Sequence, residues 1–397
     1  MKKTRVIEGV LQMRFEDIYD RYNKSKLTTS EAAEILGISV RTFLRKRERY
    51  EEEEFKGSHD LRLGKPSPRR ACEKVVRDIV QLYGNQYRGF NVKHFHEFAK
   101  REHGLQYGYT WTKKTLEKAG MIRKGKRGGD HRLRRERRPM EGMMIHQDGS
   151  THEWIPGLGH NIDLIITMDD ATSKITSGLF VLQEGTESTF MGLKETIETH
   201  GLFCSFYTDR GTHYWHTPEA GGKVDKHQIT QVGRALKQLS IQHIAAYSPQ
   251  ARGRSERMFG TLQGRLPNEI ALQGIKTIEE ANKYLKEVYL PRHNAQFTTK
   301  ASNPEPMWKP CPGINLQEIL CIQSERVVQR DNTVSYNKLR LQIAGDELRH
   351  HYVRTTVEVR QYMDGRMGIF YGHRMLGLYD QAGQLILPTT KTQEAPK

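Results

Sequence analysis

The run NIDLIITMDD, residues 161–170, is a stretch of β-branched and leucine residues that stops at two acids. It is too short for a helix of ordinary length and too apolar for a loop, so it reads as a strand followed by a turn. Lys174 to Leu182 reads as a second strand, which makes the two a hairpin. Upstream, Met143 to Asp148 is a short apolar segment that ends in an acid. Downstream come a helix at Thr186 to His200 and the strand LFCSFYTD (202–209), which again ends in an acid. A helix at Gln228 to Leu239 and the strand IQHIAAY (241–247) follow, and a further helix opens in YSPQARGRSERMFGTLQGRL (247–266). The order β-β-β-α-β-α-β-α is that of a layered α/β domain. An amphipathic helix at 278–290 completes a core assigned to residues 141–300.

The flanks differ from this core. Residues 1–140 hold 35 Lys and Arg against 19 Asp and Glu, so the whole excess of +16 lies in the first third of the 397-residue chain. That asymmetry is the electrostatic footprint of a polyanion-binding region. Within it, LTTSEAAEILGISVRTFLRKRER (27–49) reads as a helix capped by Thr29 or Ser30, a break at Gly37, and a second helix capped by Ser39. This is a helix-turn-helix pattern, assigned to residues 1–60, with Ile38 as a buried plug. Val40, Phe43 and Leu44 form its apolar stripe, and Arg41, Arg45 and Lys46 are free to meet DNA. EEEE at 51–54 and GKPSPRR at 64–70 read as linker. Three helices at 73–87, 92–103 and 110–119 form a second small DNA-binding unit, residues 70–122, with Lys113 and Lys114 toward phosphates. The arm at 123–140 is about half basic, and Arg127, Arg132, Arg134 and Arg135 are assigned to the DNA backbone. Residues 315–387 carry short strands between DNT, DG and AG turns, the pattern of a small all-β barrel. Its aromatics Tyr352, Tyr362, Phe370 and Tyr371 are assigned to the barrel core.

The chemistry rests on three acids. Asp148 ends the first core strand, Asp209 ends the fourth, and Glu256 sits on the helix after the fifth. Carboxyl ends of strands in an open α/β sheet converge on one crevice. Carboxylates gain nothing by clustering there unless a cation neutralises them, which points to two Mg²⁺ (or Mn²⁺) ions working on a phosphodiester. Arg252 and Arg254 beside Glu256 would hold DNA phosphates. The competing reading of Glu256 is a surface ion pair with Arg252 at i, i+4. Asp169 and Asp170 are read as turn acids, His146 as a packed histidine, and His152 and Trp154 as the rim of the site. Trp215 is either a base-stacking platform or a loop anchor.

QDGS (147–150), YTDRG (207–211) and SPQARGRSERMFGTLQGRL (248–266) together resemble the three blocks of DDE transposases and retroviral-type integrases. The combination is most similar to the ISNCY group of bacterial insertion-sequence transposases, with further family-like stretches at QDGSTHEW, MDDATSKI, VGRALKQLSI and DGRMGIFYG. The interval between Asp209 and Glu256 exceeds the retroviral-type spacing, and the extra length falls in HYWHTPEAGGKVDKHQ (213–228). The resemblance implies an RNase H-like core with Asp148, Asp209 and Glu256 as catalytic metal ligands, cleavage at the ends of an insertion sequence, and joining of 3′-hydroxyls to target DNA. It implies double-stranded DNA as partner and a homodimer or larger assembly on it. A non-catalytic DNA-binding regulator and a nuclease without strand transfer remain the alternatives. His94 and His96 lack a cysteine pair, so no structural zinc is expected. No apolar run approaches the roughly 18 residues of a membrane span, and the expected location is the cytoplasm, on the nucleoid.

Overall fold

The computed structural model describes residues 2–53, 70–123, 135–218, 222–225, 227–247, 249–345 and 349–388. The chain divides into two compact units, one up to Ile79 and one from Val80 onward.

The first unit is helical. The helices α1 (Lys2–Asn23), α2 (Thr29–Leu36) and α3 (Val40–Glu53) enclose Phe15, Ile18, Ala32, Ala33 and Phe43. The helix, left-handed Gly37 and Ser39-capped helix stand as expected, since Gly37 has φ +68° and the Thr42 amide donates to Ser39 Oγ. Three details differ. The cap of α2 is Thr28, one residue earlier, because Thr28 and Glu31 complete a reciprocal capping box. Helix α3 runs through the first three glutamates of the stretch read as linker, and residues 54–69 lie outside the described residues. Val40 and Leu44 are largely exposed, and Phe43 alone of the three is buried. The long α1 supplies the packing that the two-helix reading assigned to them. Arg41 and Arg45 are exposed, while Lys46 stands over the ring of Phe15.

Helix α4 (Glu73–Asn85) runs across the division, and α5 (Val92–His103) and α6 (Tyr109–Lys118) follow in the second unit. The described sheet of the core has the order β3-β2-β1-β4-β5, built from β1 (Met144–His152), β2 (Ile162–Asp169), β3 (Ile175–Val181), β4 (Ser205–Thr208) and β5 (Gln242–Ala245). The first three strands are antiparallel, and β1, β4 and β5 run parallel. Helices α7 (Thr186–His200) and α8 (Gln231–Gln238) bury Phe190, Leu193, Val232 and Leu236 against Ile145 and Phe206. A second core joins Met258, Phe259 and Leu262 of α9 (Pro249–Gln263) to Leu164, Ile166 and Met168 of β2. It also takes in α10 (Leu266–Leu272), α11 (Ile278–Tyr284), a π-helical turn over Leu285–Tyr289, and α12 (Leu290–Phe297).

Helix α5 is not free of this core. Asn91 Nδ2 donates to Gly264 O, His94 Nε2 meets Glu269 Oε1 at 2.8 Å, and Arg265 pairs with Glu97 at 2.6 Å. His94 and Glu269 are buried, so the segment read as a second small DNA-binding unit is fixed to α10 through α5. His96 likewise spends Nδ1 on Thr112.

After α13 (Leu316–Ile319), seven strands follow: β6 (Ile322–Val327), β7 (Thr333–Tyr336), β8 (Leu339–Gln342), β9 (Thr356–Gln361), β10 (Met367–Tyr371), β11 (Arg374–Tyr379) and β12 (Leu385–Pro388). They form a five-stranded antiparallel sheet and a separate β7–β8 hairpin rather than one closed barrel, around a core that includes Val334, Leu341, Val359 and Ile369. Tyr352, Tyr362 and Phe370 are buried as expected, but Tyr371 is exposed. The Gln231 side-chain amide exchanges two hydrogen bonds with the Gln323 backbone, and Arg234 donates to the Ile319 and Cys321 carbonyls. These bonds seat the β domain on α8.

Burial holds three histidines neutral. His146 and His243 are pushed down to about 3 and His293 to about 4, in each case chiefly by desolvation. Unfolding lets each take a proton near its ordinary 6.5, so the unfolded state binds more protons below that pH and stability falls as pH drops. The expected loss is about 1 kcal/mol per histidine for each pH unit below 6.5. Urea midpoints at pH 7.5 and 5.5 check it, and His243→Gln should flatten the dependence.

Candidate active site

Asp148 does not end β1, because antiparallel pairing with β2 carries that strand on to His152. Its pairing with β4 ends earlier, at His146 and Tyr207. Asp148 and Asp209 each lie two residues beyond that last pair, Asp209 just past the end of β4, so the register carries both acids to the same edge of the sheet. Asp209 is oriented by its own turn, where Oδ1 accepts the Gly211 amide at 2.8 Å. Both acids are half-buried.

A strut links the two segments. Tyr214, five residues after Asp209, is 1% exposed and donates its hydroxyl to Gln147 Oε1 at 3.0 Å. Gln147 in turn donates to Thr167 Oγ1 of β2. Burial first, then the charges of Glu184, Asp209 and Asp148, hold the Tyr214 phenol well above its usual range. Three carboxylates therefore act on one phenol. Trp215 anchors the same loop, with Nε1 on Thr208 Oγ1 and its ring stacked 3.8 Å from that of His243. That settles its role as loop anchor.

Glu184 is the residue that the sequence reading missed. Its amide donates to Asp163 Oδ2, and its carboxylate faces Tyr214 Oη and, at 3.5 Å, His213 Nε2. It lies flush on Gly149, where an added Cβ would come within 2.3 Å of Glu184 Oε2. The available signal was topological. In a β-β-β start, β1 and β3 run in the same direction, so an acid just after β3 belongs to the same edge as acids after β4. Gly149→Ala is expected to displace the Glu184 carboxylate and cut any activity of this edge by at least about tenfold, the equivalent of about 1.4 kcal/mol. Activity assays with a urea titration separate that effect from unfolding.

Glu256 is exposed on α9. It shares a flank of that helix with Gln263, seven residues on, and Gln263 donates to Ser150 Oγ two residues beyond Asp148. The buried stripe Ser255, Met258, Phe259 and Leu262 fixes the helix against the core. Among the described residues, no three His, Cys, Asp or Glu side chains are grouped to hold a metal ion.

The arginines expected on phosphates divide. Arg127, Arg132 and Arg134 lie outside the described residues, and of Arg252 the structure gives only its place in α9. Lys113 and Lys114 are exposed, with Lys113 3.9 Å from Glu117. Arg135 and Arg254 instead converge on Asp170, which is 0% exposed. Asp170 also accepts the Arg138 amide at 2.7 Å and contacts His146 Nε2 at 2.7 Å. Since a carboxylate only accepts, neutral His146 carries its proton on Nε2. Burial, then Arg135, Arg137 and Arg257, push Arg254 down to about 10, which leaves it charged at neutral pH. Asp169 serves the turn, accepting from Gly142 and Thr172. Trp154 is fully buried and donates to Ser150 O, so it belongs to the core rather than to a rim, with His152 against its ring.

No family model matches the chain. It is 28% identical over 366 residues to "Putative transposase y4bF" of Sinorhizobium fredii (strain NBRC 101917 / NGR234), covering 90% of this chain and 79% of that protein. It is also 28% identical over 314 residues to the transposase for insertion sequence IS1202 of Streptococcus pneumoniae, covering 70% of this chain and 66% of the relative. The resemblance to transposases is borne out. Among solved structures, a simian T-cell lymphotropic virus intasome chain overlays with TM-score 0.34 and 13% identity, over 73% of this chain and 91% of that one. The HTLV-2 integrase catalytic core with magnesium gives 0.29 and 14%, over 38% of this chain and 89% of that one.

Proposed function

We propose that the chain is a DNA transposase of the DDE type, in which Asp148, Asp209 and Glu256 form the reactive centre. Its substrate is the pair of terminal inverted repeats of an insertion sequence, bound by at least two copies of the chain. The observation that supports this most is the parallel register of β1 and β4, since Asp148 and Asp209 each follow its last pair, His146 and Tyr207, by two residues, in a chain similar to one transposase relative over nine-tenths of its length. The donor set is all carboxylate oxygen, which suits Mg²⁺ or Mn²⁺ and not a soft metal. Asp148 and Asp209 would hold such ions, with Glu256 completing the set from α9. When bound, the ions would activate the attacking oxygen and stabilise the leaving one.

In the first step, water forms a new bond to phosphorus at the element end while the bond from phosphorus to the 3′-oxygen breaks, leaving a 3′-hydroxyl and a 5′-phosphate. In the second, that 3′-hydroxyl bonds to a target phosphorus and a target 3′-hydroxyl leaves. The protein's share is positioning. The Tyr214–Gln147 strut fixes Asp209 relative to Asp148, and the Asp170 clamp fixes the helix that carries Glu256. Exposed basic residues of the N-terminal units, among them Arg41, Arg45, Lys113 and Lys114, would give DNA affinity with strong salt dependence.

The test is incubation of the full chain with Mg²⁺, labelled DNA from the ends flanking the gene, and a supercoiled plasmid. Joined products from the wild type, absent with Asp148→Asn, are expected. Cutting without joining would make the chain a nuclease, and metal-independent binding without cutting would make it a regulator.

A further inference from the structure

The flank of α9 opposite Glu256 borders a cavity. Arg254, Arg257 and Thr261 recur at three- and four-residue spacing and share one side of the helix. With Arg137, Ser173 and His293 they border a cavity of about 320 Å³. Two guanidiniums meet there without a carboxylate in direct contact. Arg137 gives Nη1 to the carbonyls of Asp170 and Ala171, and Arg257 gives Nε to Gly253 O. Neither has an ion-pair partner among the described residues. Burial, then the nearby charge of Arg257, lowers the pKa of Arg137, and Asp169 offsets this only in part. Both guanidiniums are exposed, and an anion bound between them would offset their mutual repulsion.

An independent observation concerns His293. It is 6% exposed, and its Nδ1 is buried without a hydrogen-bond partner. Its ring is held between Tyr289 and Phe297, with centroids at 5.8 and 4.7 Å. A buried nitrogen with no partner is destabilising until a polar group reaches it.

We propose that this cavity is a phosphate-binding site, in which Arg137 and Arg257 take the anionic oxygens and the His293 ring lies at the wall. Planar guanidiniums match phosphate oxygens in geometry as well as charge. The phosphate is either a DNA backbone phosphodiester, which would give the catalytic helix a grip on its far side, or a free phosphate. The DNA alternative rests on the reading that the chain binds DNA, but neither alternative depends on the three acids.

The experiment uses the full chain in EDTA, so that no cutting can occur. A short labelled duplex is titrated at several salt concentrations by fluorescence anisotropy, and inorganic phosphate is titrated by calorimetry. The variant is Arg257→Gln, because Arg257 is exposed and its loss leaves the core intact. For a backbone phosphodiester, the slope of log affinity against log salt drops by about one unit in the variant, and Arg257→Lys restores it. For a free anion, the variant loses inorganic phosphate binding with the DNA slope unchanged. An unchanged slope together with unchanged phosphate binding overturns the proposal. Absence of duplex binding by the wild type would sink the DNA reading, with the phosphate titration still deciding this site.

Discussion

Asp148→Asn and Asp209→Asn are each expected to reduce 3′-end cleavage and strand joining by at least about 10³-fold, with the fold intact. The magnitude follows from the several kcal/mol of transition-state stabilisation that metal coordination supplies, at about 1.36 kcal/mol per tenfold. Asparagine keeps the shape of the side chain and removes the charge that a cation needs. Stability should change little, because a half-buried carboxylate at the same sheet edge as another is relieved, not harmed, by losing its charge. Glu256→Gln should have a similar effect on cleavage, since Glu256 is exposed and its loss leaves no cavity in the core. Quantified cleavage products beside urea denaturation curves check both halves of the expectation. Loss of activity with equal loss of stability would assign these acids a structural role instead.

Asp170→Ala is the second large effect, and it acts by a different route. Asp170 is 0% exposed and receives Arg135, Arg254, the Arg138 amide and His146. Removing it leaves two partly buried guanidiniums facing each other, and breaking a buried pair costs about 3–5 kcal/mol. That is a large part of the roughly 5–15 kcal/mol that holds a typical domain folded. The loss should be visible as a lowered urea midpoint. Arg254 lies two residues before Glu256, so activity should fall further than stability alone explains. Asp170→Asn is the milder test: it fills the site, but its NH₂ group must face a donor. Arg135→Ala removes one charge while leaving Arg254 paired, and it should cost less than either.

The strand and helix order of the core was readable because apolar runs of four to eight residues alternate with helical periodicity between clear turns. Asp209 was correctly placed at a strand end, since YTDRG breaks the apolar run directly after β4. Asp148 was placed at a strand end wrongly. The polar GSTH after it hides a strand that persists through pairing with β2, and local composition carries no information about a partner. Glu184 was passed over because its neighbours LQEGTES read as an ordinary turn into a helix; only the contact with Gly149 marks it. The arginines show the same limit. Composition identified a basic chain, but which guanidinium meets DNA and which meets Asp170 depends on a buried acid 84 residues from Arg254. The docking of α5 on α10 was hidden for the same reason, as His94 and Glu269 lie 175 residues apart.

The central claim is that Asp148, Asp209 and Glu256 share divalent cations when DNA is bound. It is tested most directly by solving the structure of the chain on its element ends in Ca²⁺, which occupies oxygen sites and slows the chemistry. The account predicts cation density between Asp148 and Asp209, with a Glu256 oxygen at about 2.3–2.6 Å from an ion. A DNA-engaged structure in which Glu256 faces solvent and the ions are held without it would contradict the account.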